Sequence, residues 1–578
     1  FTGNSGVVSF GHVAFMAIGA YATAITTTSP AIKQSLIPDA PSFLIDAELS
    51  FVPAMAIAVA VTSAIALPIG FVFARLTGAA AAIATLAWLV IARTVIANWD
   101  RITAGTFTFY GIPSFTTIGW ALGLAIVAIT AATLFRESGL GLSLRATSND
   151  PLVARAVGVS VTSARLAAWV LSAAIAGLGG VLYAHFILAL APTAFYFELT
   201  FIILVMLIVG GRSVSAAVLG AAAISVISEV LRRTESATER FGTSTLVLAG
   251  IFMTMMILRS EGLLGRWELD QLVARSWGRF RRGRVADRAQ VPPPVTASTR
   301  GDRTPPTRTA VGEGEPEIMK LEVDGLSKDF GRVHALAGVN LSLVKGDILA
   351  VIGPNGSGKT TLINVVSGVI PPTSGTARLD EVVLTELPSH KVARRGIGRT
   401  FQNIRLFRDM TVIENVETAA SRSPRTNGFF RPRSASREAL ALVGLEDLAE
   451  TIVGTLPYGL QRRVEIARAI ASRPHFVLLD EPAAGLNEAE SDALLDVIRL
   501  LRDRLGVGIL VVDHDLRLIM RVAERIHVLN EGKTLAQGTP HEVRNNRAVI
   551  EAYLGSEYDH EHLLQEVEQP REEQQPDS

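Results

Sequence analysis

The densest chemistry in the chain is the run Gly353-Pro354-Asn355-Gly356-Ser357-Gly358-Lys359-Thr360-Thr361. It follows the apolar run Leu349-Ala350-Val351-Ile352 and precedes helix-compatible Leu362, Ile363 and Val366. Strand, glycine loop and helix start are the context a phosphate-binding loop requires. Glycines admit backbone N–H groups to the phosphates, and the helix N-terminus adds positive potential. Lys359 is expected to reach the β- and γ-phosphates, and Thr360 to offer its hydroxyl to Mg²⁺.

Further along, Phe476-Val477-Leu478-Leu479-Asp480-Glu481 reads as a buried strand ending in two acids. Asp480 is placed for Mg²⁺ and Glu481 to polarise the attacking water as general base. The strand Gly508 to Val512 ends in Asp513-His514-Asp515, where His514 can sense a γ-phosphate. Gln402, in Thr400-Phe401-Gln402-Asn403, can coordinate Mg²⁺ or a water. Phe330 is expected either to stack on adenine or to serve as a core aromatic at a strand end. Gly459, in Leu456-Pro457-Tyr458-Gly459-Leu460-Gln461, lets backbone approach a phosphate at a helix start. An apparently helical insert, about 411–455, separates that loop from the phosphate loop. It is therefore expected to serve a second nucleotide, across a dimer interface.

These residues need a soluble α/β framework, and the chain provides one only over residues 318–554. Residues 1–260 carry a single lysine, Lys33. Eight apolar stretches occur there, about 7–29, 51–73, 76–97, 115–135, 165–189, 197–211, 213–231 and 241–258. Most are long enough to cross hydrocarbon as helices. The pair around Gly210-Gly211 reads either as two short segments or as one span plus a re-entrant piece. Small residues such as Ala173-Ala174, Ala176-Gly177 and Gly179-Gly180 allow close helix contact in lipid. The positive-inside bias puts the 136–164 loop, with Arg136, Arg145, Arg155 and Arg165, in the cytoplasm, and likewise Arg275, Arg279, Arg281, Arg282 and Arg284. Arg101 falls outside, as the exception.

Four segments are expected: a multi-span membrane domain over 1–265 with about eight spans, a basic and then Pro/Thr-rich linker over 266–317, an ATPase domain over 318–554, and an acidic, disordered tail over 555–578. The basic part of the linker is expected either to lie on anionic lipid or to be a solvated charge run after a span. The chain begins at Phe1 within a semi-apolar run, so an upstream apolar segment is expected to be missing. Net charge is zero and says little about partners; the lack of Cys excludes disulfides and thiolate metal sites.

The nucleotide motifs together resemble the ATP-binding-cassette ATPases. The phosphate loop is Gly353–Thr361, the glutamine loop centres on Gln402, and the signature loop is Leu456–Gln461. Asp480, Glu481, the Ala484–Asn487 loop and the switch residue His514 complete the set. The resemblance implies a RecA-like α/β core with antiparallel β and helical subdomains, fused here to a multi-span α-helical membrane domain. One departure matters: Pro457 replaces the usual signature serine, Tyr458 a glycine and Leu460 the glutamine. The Tyr-Gly pair is similar to the branched-chain amino acid branch. The lost hydroxyl either weakens that half-site or is compensated by a donor from Tyr458 or the following helix start.

The membrane half looks like permeases of the same branch, in Ser9-Phe10-Gly11-His12 through Gly19-Ala20-Tyr21, in Asn98 to Thr103, and in Arg259 to Gly265. Gly11, His12, Gly19 and Tyr21 are expected either to shape a path or to pack helices. The loop 145–159 matches the region that couples to an ATPase; Asp150 and Arg155 are its candidate pair. The resemblance implies an importer in the cytoplasmic membrane that uses ATP and Mg²⁺. Its partners would be a second permease, a second ATPase or another copy of this chain, an external substrate-binding protein and membrane lipid, with no nucleic acid. Branched-chain or other hydrophobic amino acids lead as substrates; urea, short amides and aromatic acids stay open. An exporter and a nucleotide-sensing membrane protein are the competing classes.

Overall fold

The computed structural model describes residues 1–238, 242–258, 262, 319–422 and 432–554. The linker 266–317, the arginines from Arg275 to Arg284, most of the closing motif 259–265 and the tail 555–578 lie outside the described residues. The chain folds as two compact units. One holds the described residues of Phe1–Ser148 and Val161–Gln290, the other those of Asn149–Ser160 and Val291–Ser578.

In the first unit each of the eight apolar stretches contains a helix: α1 (His12–Thr27), α2 (Phe51–Phe73), α3 (Gly78–Asn98), α4 (Ile118–Glu137), then α6 (Val161–Ile187), α7 (Phe197–Gly210), α8 (Val214–Thr238) and α9 (Thr243–Leu258). Among the described residues six membrane-capable helices meet the length and apolarity needed to span; His12–Thr27 and Leu246–Leu258 are shorter apolar helices. The chain breaks at Gly211, so 197–238 forms two helices, Phe197–Gly210 and Val214–Thr238. Helix α1 is buried along most of its length, whereas α4 buries only Arg136. A Cβ on Gly19 would collide with the Gly177 carbonyl oxygen, and one on Gly180 with that of Met16. Helices α1 and α6 thus meet backbone to backbone, which only small residues permit. Strands β1 (Phe109–Tyr110) and β2 (Ala189–Leu190) pair in an antiparallel ribbon.

In the second unit β3 (Lys320–Phe330), β4 (Val333–Val344), β6 (Ser374–Leu379) and β7 (Val382–Val383) form a four-stranded antiparallel sheet. A six-stranded sheet holds β5 (Ile348–Ile352), β8 (Ile397–Arg399), β9 (Phe476–Asp480), β10 (Gly508–Val512), β11 (Arg525–Asn530) and β12 (Lys533–Gly538), in the order β12-β11-β5-β10-β9-β8. Strands β5, β9 and β10 are buried throughout and almost wholly apolar, as a sheet covered on both faces demands. The insert 411–455 contains helices α12 (Val412–Ala420) and α13 (Arg433–Leu442), which pack with α14 (Tyr458–Ile470). The short helix α5 (Pro151–Ala156), between α4 and α6 in sequence, belongs to this second unit, with α10 (Lys359–Val366) and α11 (Ser389–Arg394).

Candidate nucleotide site

Parallel pairing explains why motifs distant in sequence converge. Strands β11, β5, β10, β9 and β8 run parallel, with Val512 opposite both Val351 and Asp480 and Arg399 opposite Leu478. The phosphate loop, the Asp480-Glu481 pair, His514 and the Gln402 loop therefore all leave one carboxyl edge of one sheet. Ligands bind at that edge in open α/β sheets.

The phosphate loop joins β5 to α10. Gly353, Gly356 and Gly358 all have positive φ, of 152°, 82° and 101°. A Cβ on Gly353 would collide with the Leu529 carbonyl oxygen, and one on Gly358 with that of Ala335, whereas Gly356 faces open space. Lys359 Nζ curls back and donates to the carbonyls of Gly353 (2.7 Å) and Pro354 (3.0 Å). Burial lowers its pKa, against the pull of Glu481, Asp480 and Asp513. The Ser357 hydroxyl is buried without a hydrogen-bond partner. A cradle of glycines with a loosely tied cation and an orphan hydroxyl fits a polyphosphate.

Thr360 Oγ1 donates to Asp480 Oδ1 at 3.5 Å. Burial pushes the Asp480 carboxyl up to about 6, opposed by Arg399 and reinforced by Glu481. Glu481 is not glycine yet has φ 43°, in the left-handed region that costs of order 1–3 kcal/mol and needs its surroundings to hold it. Its N–H donates to the Val512 carbonyl at 2.7 Å. His514 Nδ1 is 3.6 Å from Glu481 Oε2, with the imidazole largely exposed. Asp513, absent from the motif reading as a functional residue, orders this corner. It accepts from the N–H groups of His514 (2.8 Å), Asp515 (3.0 Å) and Ala483 (3.4 Å).

Gln402 is exposed on the loop that follows β8. Phe330 is 50% exposed, which removes the core-aromatic reading; Lys328 Nζ is 5.2 Å from its ring centre. Pro457 is the N-cap of α14 and supplies no side-chain cap; its carbonyl accepts from the Gln461 N–H at 3.0 Å. The N–H groups of Tyr458, Gly459 and Leu460 in the first turn have no intrahelical acceptor by geometry and stay free for an anion. A Cβ on Gly459 would collide with Glu490 Oε1, and one on Gly485 would lie 3.1 Å from the Tyr458 ring, so the signature and 484–487 loops pack on each other.

A family model described as "ABC transporter" matches residues 336–484. One described as "Branched-chain amino acid ATP-binding cassette transporter" matches 533–559, and "Branched-chain amino acid transport system / permease component" matches 1–260. The high-affinity branched-chain amino acid transport ATP-binding protein BraF of Pseudomonas aeruginosa is 46% identical over 248 residues, 41% of this chain and 97% of BraF. The chain belongs to the ATP-binding-cassette transporters of the branched-chain amino acid family. LivG of Escherichia coli K12, of the same description, is 44% identical over 248 residues, 41% of this chain and 97% of LivG. The lipopolysaccharide export system ATP-binding protein LptB of the same strain is 34% identical over 241 residues, 42% of this chain and 99% of LptB. The ATPase half alone thus does not separate import from export; the permease match does. The protein is a membrane transporter that binds and hydrolyses ATP on its cytoplasmic side, and fuses in one chain a permease and an ATPase of a type that works in pairs.

The membrane candidates resolve differently. His12 is a satisfied interior histidine: Nδ1 is 2.9 Å from Ser9 Oγ and Nε2 2.8 Å from Ser172 Oγ, and its ring lies against Phe1, Phe15 and Trp169. Gly11 and Gly19 are close-packing positions, whereas the buried Tyr21 hydroxyl has no hydrogen-bond partner. The motif reading misses Arg93, a cation within α3 lying 4.4 Å over the Tyr196 ring. An ionisable residue inside a span is the signal that points to it.

In the candidate coupling loop, Asp150 is engaged with the second unit's other residues. Asp150 Oδ1 caps α5 by accepting from Leu152 and Val153 N–H, and its Oδ2 meets Arg405 Nη1 at 3.2 Å. Arg394 Nε donates to the Gly158 carbonyl at 2.9 Å. Arg155 is exposed.

Proposed function

We propose that the protein imports branched-chain or related hydrophobic amino acids across the cytoplasmic (inner) membrane at the expense of ATP. The observation that carries this reading is the pairing, in one chain, of a branched-chain permease match over 1–260 with an ATPase 46% identical to BraF. In this reading residues 1–265 form the permease, 266–317 the linker, 318–554 the ATPase and 555–578 the acidic tail. A second permease, a second ATPase or another copy of this chain, and an external substrate-binding protein complete the transporter.

In the nucleotide site Lys359 leaves the Gly353 and Pro354 carbonyls to hold the β- and γ-phosphates, and the N–H groups of Gly356 to Thr361 line them. Phe330 stacks on adenine. Thr360 and Asp480 are hard oxygen donors suited to Mg²⁺, which needs few protein ligands beside phosphate and water, and Gln402 is a third. When bound, the ion neutralises charge on the phosphates and stabilises an ionised Asp480. Glu481 orients and deprotonates the attacking water. His514 reports the γ-phosphate, and Gly459 opens the signature helix start to the nucleotide of the mate. Import is favoured over export because the match in the membrane half is to a permease family of branched-chain transport.

The test is uptake of radiolabelled leucine, isoleucine, valine, phenylalanine and urea into proteoliposomes holding the assembled transporter, its binding protein and Mg-ATP on the ATPase side. Branched-chain uptake that Lys359→Ala abolishes is expected. Uptake of urea alone, or ATP-driven efflux, would overturn the reading.

A further inference from the structure

Arg462 carries no role in the motifs above, yet it is heavily engaged beside the site. It lies in α14, three residues after Gly459, and is fully buried. Its Nη1 donates to the Phe401 carbonyl at 2.7 Å and to Glu465 Oε2 at 2.9 Å. Its Nη2 donates to the Gln402 carbonyl at 2.9 Å and the Glu481 carbonyl at 3.2 Å. One guanidinium thus binds the backbone of two loops, those of Gln402 and Glu481, from a third element, the signature helix. Only a planar fork reaches all three; a lysine ammonium is a single point.

The Glu481 carbonyl is a consequential place to hold. Glu481 has a left-handed backbone, and such a conformation persists only where neighbours fix it. Val512 fixes its N–H and Arg462 its carbonyl, so the direction of the carboxylate depends on both. Arg462 shares the buried carboxylate of Glu465 with a second buried arginine, Arg468, 3.6 Å from Glu465 Oε1. Glu465 Oε1 also accepts from the N–H groups of Phe401 (3.2 Å) and Arg405 (3.4 Å). Arg405 is the residue paired with Asp150 of the coupling loop.

We propose that Arg462 is a positioning residue that ties the seating of the signature helix and the Gln402 loop to the orientation of Glu481. Hydrolysis at this chain's own phosphate loop then depends on where its signature helix stands, although that helix serves the nucleotide of the mate. The proposal rests on the assignment of Glu481 as general base.

The experiment uses the assembled transporter in nanodiscs. Arg462→Lys keeps the charge opposite Glu465 but loses the fork. A second variant, Arg462→Gln, removes the cation but leaves Glu465 paired with the buried Arg468, 3.6 Å away, so no lone buried ion prevents folding. Single-turnover ATP hydrolysis, ATP affinity and thermal midpoint are measured for each, with Glu481→Gln in parallel. Both Arg462 variants are expected to hydrolyse at least about ten-fold more slowly, with ATP affinity within about three-fold of wild type and an unchanged thermal midpoint. Wild-type rates in both variants, while Glu481→Gln is inactive, would overturn the proposal. So would a loss of rate matched by an equal loss of affinity or of folded protein in both variants, which marks a merely structural role. If Glu481→Gln itself hydrolyses at the wild-type rate, the base assignment has failed and the proposal falls with it.

Discussion

The ATPase half and the membrane half both depend on glycine, for opposite reasons. In the phosphate loop Gly356 has φ 82° and open space before its Cα, which is room for a ligand. In α6 Gly180 has no room at all, because the Met16 carbonyl of α1 occupies the place of a side chain. A ligand-binding glycine belongs to a spacing pattern set by phosphate chemistry and can be read in one dimension. A packing glycine is set by whichever helix happens to face it. The contrast teaches that motif density measures how local the chemistry is, not how much function a region carries.

The largest effect should come from the ATPase half. Glu481→Gln is expected to lower single-turnover hydrolysis by about 10²–10⁴-fold, the range for a positioned general base, and to leave ATP trapped. Rapid-quench measurement on the assembled transporter checks this, and an undiminished rate would remove Glu481 from the chemistry. In the membrane half, Gly180→Val should push α1 and α6 apart and destabilise that unit by about 1–3 kcal/mol, the usual cost of overpacking. Thermal unfolding in detergent should show the loss in the membrane transition, with nucleotide binding retained. If the Gly180→Val variant keeps full stability, the contrast between the two glycines is erased.

Smaller effects sharpen the comparison where the second unit takes a segment from between two spans. Removing Asp150 and Arg405 singly and together should give a coupling of about 0.2–1 kcal/mol, since Arg405 is about half exposed. The same variants should raise ATP consumed per substrate moved, by about the twofold that ~0.4 kcal/mol carries. An unchanged stoichiometry would remove this pair from coupling. The smallest effect is expected at Pro457→Ser. A lost hydroxyl donor to phosphate costs about 1.5–3 kcal/mol if nothing replaces it. Here the first-turn N–H groups of α14 remain free, so ATP turnover should rise only modestly, about several-fold at most. No rise would mean that the signature loop of this branch holds phosphate by backbone alone.

Much of the candidate nucleotide site is legible in the sequence because each motif is a strand end plus a loop, and burial on both faces writes such strands as apolar runs. Gln402, Asp480, Glu481 and His514 all stand out this way, and the parallel sheet gathers their loops at one edge. Phe330 admits two readings in the sequence, and its exposure sets the core-aromatic one aside. The sequence does not single out Arg405, because a partner on a loop about 250 residues away leaves no mark near Asp150. The membrane candidates carry a weaker signal: His12 reads as a polar residue in a span, and only its contacts with Ser9 and Ser172 show it to be satisfied.

The sequence by itself determined the two-part composition of the chain, the apolar stretches that become helices, and the motifs of the candidate phosphate site, since these follow from local spacing, hydropathy and residue type. Tertiary structure alone decided which distant groups meet. It set Val512 beside Asp480, brought the Gly180 backbone against Met16, and placed the guanidinium of Arg462 among the carbonyls of Phe401, Gln402 and Glu481. Backbone carbonyls are identical at every position of a sequence, so a side chain that works by holding them has no readable partner until the chain is folded.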